Sequence, residues 1–175
     1  VTRILRAGDR LARTEFPARV IPAVQDLFER RAVYADEPLA TRYADITNAI
    51  NDAEFMNYLQ LTNPGAHSLL RDTCSLTKME GSSKINVVPA EASIELDCRL
   101  LPDQDPENFI RDLSIIINDP NISIEKIMGF TAAASSSDTS FYRLIEDTLH
   151  EYYPGSQVIP GVSTGFTDSH FFRDL

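Results

Sequence analysis

The chain has 175 residues, 43% of them apolar, and its 26 acidic residues outnumber 16 basic ones for a net charge near −10. This balance disfavours nucleic acids and anionic membranes as partners, because both are bound through clustered positive charge. No run approaches the ~20 apolar residues of a membrane-spanning helix. Only Cys74 and Cys98 are present, which excludes a framework of several disulfides and a cysteine-rich zinc module. We expect an acidic globular protein located in the cytoplasm.

The first 72 residues have a mainly helical pattern that prolines interrupt. Apolar and small residues recur with helical spacing on one stripe from Ile4 to Ala12, so we expect a helix at the start of the chain. Residues 52–59 resemble a short helix capped by Asp52. Residues 14–72 show no further motif, and we treat them as a helical insertion.

The middle of the chain has the pattern of two strands. Residues 73–79 alternate loosely and lead into a loop signal at Gly81. Residues 92–100 alternate strictly, with apolar side chains at even numbers and polar or ionic ones at odd numbers, which predicts a strand with one buried face. Cys74 and Cys98 fall on these two strands, where we interpret them as small apolar filler.

A helix and a third strand are expected to follow. Asp105 and Pro106 are typical of a helix start, with the aspartate as N-cap and the proline in the first turn. After this helix, Ile122, Ile124 and Ile127 indicate another strand. Together with the first helix, this order predicts an α+β domain, ferredoxin-like, with an antiparallel sheet and its helices on one face.

The pattern changes near residue 131. Residues 131–138 are small and polar like a linker, and an amphipathic helix over 141–149 follows. Residues 158–160 then suggest a strand that leads into a loop around Gly165 and a helix, the arrangement at which α/β proteins bind ligands. We therefore predict one domain over residues 1–130 and a piece of an α/β domain over 131–175.

The chain shows no complete catalytic or metal-binding motif of its own. The three histidines, His67, His150 and His170, lack the close spacing that paired zinc ligands usually show. Serine-hydrolase, P-loop and dinucleotide-binding motifs are absent too. We therefore predict no catalytic residue and no metal ligand within these residues.

Two segments nevertheless resemble one enzyme family. Residues 81–92 contain Asn86-Val-Val-Pro and are followed by Asp97-Cys-Arg99, a pattern similar to the lid domain of the dizinc exopeptidases and deacylases. That family includes glutamate carboxypeptidases, aminoacylases, acetylornithine deacetylase, succinyl-diaminopimelate desuccinylase and carbamoyl-amino-acid hydrolases. Residues 165–173 resemble the family's late Gly-x-Thr-Asp loop, which belongs to its catalytic domain.

The resemblance implies a hydrolase that cleaves amide bonds of small peptides or N-acyl amino acids with two zinc ions. By motif position, Asn86 and Arg99 would bind the substrate carboxylate, and Gly165 would let backbone approach the substrate. The lid, residues 1–130 with the insertion at 14–72, would also form a homodimer. The family's metal-binding motifs are absent from these residues, so this fragment alone is expected to bind no zinc and to be inactive.

Several alternatives stay open. Arg99 can instead pair with Asp97 or Glu95 on the exposed strand face, and Asn86 can be a turn residue before Pro89. A straight strand over the thirteen residues from Asn86 to Arg99 would span about 40 Å. One ligand could then reach both only if the chain folds back or two subunits contribute. The whole chain can also be a non-catalytic α+β regulatory or assembly module.

Overall fold

The structure is a computed structural model that describes residues 1–130, 132, 134–165 and 167–172. The described residues form helices and an antiparallel sheet, which confirms the α+β class. The helices are α1 (Thr2–Arg13), α2 (Pro22–Ala32), α3 (Leu39–Ala44), α4 (Ile46–Ala49), α5 (Ala53–Thr62), α6 (Pro64–Ser68), α7 (Pro106–Ile117) and α8 (Ser140–Tyr152). The strands are β1 (Thr73–Glu80) and β2 (Ser93–Arg99), and a 3-10 helix covers Asp168–Phe172.

The chain divides into two compact units. The sheet unit comprises residues 1–17 and 72–132, and the helical unit comprises residues 18–71 and 133–175. The sheet unit thus contains α1, both strands and α7, whereas the other helices belong to the helical unit. The assignment of residues 1–130 to a lid and of 131–175 to a partial catalytic domain stays a prediction.

In the sheet unit, β1 and β2 pair antiparallel. Thr73 lies opposite Arg99 and Glu80 opposite Ser93, with a register shift between Leu76 and Lys78. The shift is a β-bulge, since one strand gains a residue there relative to its partner. The loop over residues 81–92 joins the two strands.

The two cysteines lie directly opposite each other on these strands. Cys74 and Cys98 are register partners with Cα atoms 4.0 Å apart, and a disulfide joins them. The interpretation of both as separate apolar filler was therefore wrong. Their side chains do pack against the apolar core, but as one bonded pair.

The core of the sheet unit lies on one face of the sheet. Its buried members are Ala7 and Leu11 of α1 and three residues of α7, and the apolar side chains of β2 pack against them. The predicted alternation of β2 and the placement of helices on one face are thus confirmed. Of the stripe predicted from Ile4 to Ala12, Gly8 and Leu11 are buried, whereas Leu5 and Ala12 are exposed and Ala7 is buried in addition.

Helix α7 begins and ends where its sequence indicates. The carboxylate of Asp105 accepts a hydrogen bond from the backbone N–H of Asn108 at 2.7 Å, and Pro106 occupies the first turn. At the other end, Asn118 has a φ of 44° in the left-handed region, a conformation that asparagine adopts more readily than most residues. Asn118 thus ends the helix.

The strand predicted from Ile122, Ile124 and Ile127 does not form. These residues lie in an irregular segment, although Ile122 and Ile124 still pack against the core. A strand needs a neighbour for its backbone hydrogen bonds. The two described strands, β1 and β2, pair with each other and not with this segment.

The core of the helical unit is built from residues 18–71. Its fully buried side chains include Val24, Phe28, Ile46, Leu59 and Leu70. Asp52 caps α5 by accepting hydrogen bonds from the backbone N–H groups of Glu54 and Phe55, as the sequence predicts. This region therefore has an apolar core of its own, made by helices that are close in sequence.

The end of the chain is less regular than its sequence indicates. Helix α8 forms over the predicted residues, but residues 158–160 are not a strand, and a 3-10 helix stands where a helix was expected after Gly165. A parallel strand requires neighbouring strands, and the described part of the helical unit contains none. Of the family loop, Phe166, the side chain of His170 and residues 173–175 lie outside the described residues.

Across the described ranges, no helix is both long and apolar enough to cross a membrane.

Candidate functional site

Arg99 lies at the end of β2 on the face opposite the core. Its neighbour Cys98 points to the core, so alternation turns Arg99 and Asp97 to the exposed side. The guanidinium contacts both oxygens of Asp97, with Nε 2.7 Å from Oδ1 and Nη2 2.7 Å from Oδ2. This paired arrangement fixes the direction of the guanidinium, and both side chains stay about half exposed, at 49% and 46%.

Asn86 lies in the loop at the opposite end of the hairpin. Asn86 lies within a turn over residues 84–87, which the Val87 N–H closes by donating to the Lys84 carbonyl. The loop returns toward the end of β1, where Pro89 lies close to Gly81. Asn86 is exposed, as are the other residues of 81–88. Its amide is therefore presented to solvent on a loop that extends beyond the strands.

One chain does not bring Asn86 and Arg99 together. Six residue steps separate Ser93 from Arg99 along β2, which is about 20 Å at the rise of an antiparallel strand. Asn86 lies beyond the Ser93 end of this strand, whereas Arg99 is at the far end beside Thr73. A small carboxylate cannot bridge that span within one subunit.

Gly165 belongs to the helical unit and is exposed. The Ser163 hydroxyl accepts a hydrogen bond from the Gly165 N–H at 3.1 Å and lies 3.3 Å from the Gly165 carbonyl oxygen. A Cβ added at Gly165 would lie 3.5 Å from the Ser163 hydroxyl, an ordinary contact. The local backbone therefore does not require a glycine, and the role of Gly165 in approaching a substrate stays a prediction.

Two features that bear on Arg99 went unpredicted. Asp72 is buried, and its carboxylate accepts hydrogen bonds from the Leu101 N–H at 2.8 Å and from the Gln104 side chain at 3.2 Å. These bonds tie the chain after Arg99 to the chain before β1. The Cys74–Cys98 bond is the second feature, and both could have been found only from the strand register, which the sequence does not specify.

The exposed face of the hairpin also carries a cluster of opposite charges. Lys78 lies 2.8 Å from a carboxylate oxygen of Glu80 and 2.8 Å from one of Glu95. Hydrogen bonds to Glu80 and then to Glu95 raise the pKa of Lys78, so it stays charged. Lys78 thus provides a second, separate cation on the face that carries Arg99.

A dizinc centre does not fit the residues described. No group of three or more histidine, cysteine, aspartate or glutamate side chains in this part of the chain could hold a metal ion. Three protein ligands are the usual minimum for a catalytic zinc ion. No chemical step at a metal can therefore be derived from these side chains.

The comparisons with known proteins give the family. The model of the peptidase dimerisation domain of the M20 family matches residues 18–125, more than half of the chain. The chain belongs to this family. This confirms the family resemblance, and the matched range contains the motifs around Asn86 and Arg99 but not the loop at Gly165.

Named relatives agree with this assignment. The chain is 29% identical over 153 residues to the N-fatty-acyl-amino acid synthase/hydrolase PM20D1 of Xenopus tropicalis, covering 86% of this chain and 29% of the relative. It is 28% identical over 116 residues to the probable carboxypeptidase S-like 2 of Dictyostelium discoideum, covering 65% and 22%. The chain thus spans less than a third of these relatives, and no solved structure matches it.

Proposed function

We propose that this chain is the substrate-binding lid and dimerisation part of a dizinc hydrolase that cleaves amide bonds of peptides or N-acyl amino acids. The family match supports the dimerisation role, and the relatives' names include a fatty-acyl-amino acid hydrolase and a probable carboxypeptidase. The observation that carries the proposal is the placement of Arg99 at the end of β2. There, the face away from the core presents an oriented guanidinium.

Arg99 is suited to bind a carboxylate because its guanidinium offers a planar set of N–H donors. Asp97 engages the edge formed by Nε and Nη2 and so holds the group in one direction. A substrate carboxylate would either join this pair or replace Asp97 in it. Joining the pair would add a hydrogen bond at the guanidinium donors that Asp97 does not engage. Replacing Asp97 would exchange one charged hydrogen bond of Arg99 for a similar one and would leave the half-exposed Asp97 carboxylate to solvent.

Asn86 would act from a second subunit. Within one chain, Asn86 and Arg99 are separated by at least the length of β2. One carboxylate could therefore bind both residues only where two copies of the chain meet. In that arrangement, the Asn86 amide of one subunit adds a neutral donor beside the Arg99 guanidinium of the other. Dimerisation would then complete the carboxylate site, which links the two roles proposed for the lid.

We further propose that the two zinc ions are held by residues of the whole enzyme outside these 175. Zinc ions bound there would polarise the amide carbonyl and activate water. The residues of this chain would bind and orient the carboxylate end of the substrate. This chain alone is then expected to show no hydrolysis.

Arg99→Ala in the whole enzyme tests the carboxylate site. We expect KM for substrates with a free carboxylate to rise by roughly 30- to 1,000-fold, which corresponds to about 2–4 kcal/mol of lost charged hydrogen bonding. Cleavage of the same substrates with the carboxylate converted to an amide should change little. Lys78→Ala is the matched control, since it removes a positive charge from the same strand face.

An unchanged kcat/KM for the carboxylate substrates in Arg99→Ala would remove Arg99 from the site. An equal loss in Lys78→Ala would show a general effect of charge. The dimer is tested separately by sedimentation of the chain at increasing concentration. A strictly monomeric chain would contradict the dimerisation role.

A further inference from the structure

The function proposed above does not use the two cysteines. Cys74 and Cys98 are the only cysteines of the chain, and they occupy directly opposed positions in the β1–β2 register. Within one chain, the pair can therefore form only one disulfide, between residues 24 positions apart. The register alone brings the two side chains together from distant points of the sequence.

The bond is sheltered on the core face of the hairpin. Both cysteines are partly buried and pack with the apolar side chains of β2 against α1 and α7. Reactive cysteines usually lie in exposed, electropositive surroundings, where the thiolate is stabilised. The surroundings of Cys74 and Cys98 are apolar, which fits a structural cross-link rather than a catalytic dithiol.

We propose that this protein matures in an oxidising compartment, where the Cys74–Cys98 disulfide forms as a permanent modification that fixes the position of Arg99. Two thiols lose two protons and two electrons as the sulfur–sulfur bond forms. A disulfide-bearing oxidoreductase accepts them and is reduced to a dithiol. The location differs from the cytoplasm expected from the sequence, because disulfides rarely persist in a reducing cytosol.

The cross-link fixes the register on the side of the hairpin that holds Arg99. A slip of one residue between β1 and β2 would turn Arg99 to the core face and Cys98 to solvent. The bulge between Leu76 and Lys78 interrupts the regular ladder, and the disulfide lies on the Arg99 side of that bulge. The disulfide therefore fixes the register of residues 73–76 against 96–99 even if the pairing beyond the bulge changes.

Counting thiols in the full-length protein from its own cells tests the modification. The cells are lysed in denaturant with an alkylating reagent, and the mass of the peptides that contain Cys74 and Cys98 is measured. We expect no adduct on either cysteine without reductant and one on each after reduction. Adducts on both cysteines without reductant would overturn the proposal.

Thermal unfolding of this chain tests the structural consequence. The disulfide closes a loop between residues 24 positions apart, which restricts the unfolded chain. Reduction of the disulfide should therefore lower the melting temperature by about 7–14 °C. The double variant Cys74→Val, Cys98→Val keeps apolar filling but cannot cross-link, so reductant should leave its melting temperature unchanged. A wild-type chain that melts at the same temperature with and without reductant would overturn the stabilising role.

The effect on Arg99 rests on the proposed function and has a separate readout. In the whole enzyme, reduction should raise KM for carboxylate substrates in the wild type but not in the double valine variant. If Arg99→Ala leaves KM unchanged while both cysteines resist alkylation, the carboxylate site fails and the cross-link stands. If Arg99→Ala raises KM while both thiols are free, the cross-link fails and the carboxylate site stands.

Discussion

The sheet unit and residues 18–71 of the helical unit are stabilised in different ways. Residues 18–71 bury twelve apolar side chains among helices that are neighbours in sequence. In the sheet unit, the main apolar cluster contains five buried residues beside a sheet of two described strands. A two-stranded sheet is marginally stable by itself. The sheet unit therefore depends on packing against α1 and α7 and on two specific ties, a disulfide and a buried aspartate.

This difference matters for the residues that we propose to bind the substrate. The helical region has contacts that are local and numerous, so its fold does not depend on any one polar bond. The hairpin that carries Asn86 and Arg99 depends on its register, because register decides which face each side chain occupies. The ties at Asp72 and at Cys74–Cys98 both lie at the Arg99 end of the hairpin.

Phe28→Ala should have the largest effect on stability and should act on the helical unit. Phe28 is fully buried and packs edge-on against Tyr43, with ring centroids 5.0 Å apart. Loss of its ring should cost about 3–5 kcal/mol. Hydrogen exchange should quicken across residues 18–71, whereas Leu61→Ala, which truncates a side chain 76% exposed, should change little. Equal quickening in residues 72–130 would contradict the separation of the two units.

Asp72→Ala should have the next largest effect and act on the sheet unit. The change leaves the buried Leu101 N–H without its carboxylate acceptor, which should cost about 1–3 kcal/mol. Exchange of the Leu101 amide and of the β1 and β2 amides should quicken. Asp112→Ala on the exposed side of α7 is the matched control. Unchanged exchange in the strands would show that Asp72 does not tie the hairpin.

Lowering the pH should decrease the stability of both units gradually, by less than Phe28→Ala or Asp72→Ala does. Burial of Asp26 opposes its ionisation, but hydrogen bonds from Ser137 and Arg30 outweigh this and lower its pKa. The backbone N–H of Asn121 lowers the pKa of Asp119. Because unfolding then takes up protons, stability should be full above the unfolded pKa near 4 and fall as pH decreases below it.

Asp26→Asn sharpens this test for the helical unit. The variant should be less stable than the wild type at pH 7, and the difference should narrow as pH falls from about 5 to 3. Urea unfolding at each pH measures it, with Asp112→Asn as the control. A difference that stays constant with pH would show that the Asp26 carboxylate does not contribute to the acid sensitivity.

The local elements could be predicted because their signals are local. Asp105 and Pro106 begin α7, and the strict alternation after Ala92 specifies β2 together with the exposed side of Arg99. The sequence suggested Asp97 or Glu95 as the ion-pair partner of Arg99, and Asp97 is paired with it in the structure. These features depend on neighbours within a few residues.

The remaining features depend on partners distant in sequence. The loop over 81–92 is too long for a tight turn to set the register, so the Cys74–Cys98 pair could not be predicted. The alternating apolar residues at Ile122 and Ile124 form a strand only if a neighbouring strand can pair with their backbone. The separation of Asn86 from Arg99, in contrast, was expected from the length of a straight strand, and the path of β2 and the position of the loop agree with it.

The bulge in β1 has a consequence for how two copies could associate. An extra residue bends a strand and disrupts its ladder, so the outer edge of β1 is a poor template for another strand. The Thr77 hydroxyl, which donates to the Glu95 carbonyl at 3.3 Å, and the charged Lys78 lie at this point. An intermolecular sheet that continues through β1 is therefore disfavoured, which protects the hairpin from uncontrolled strand addition.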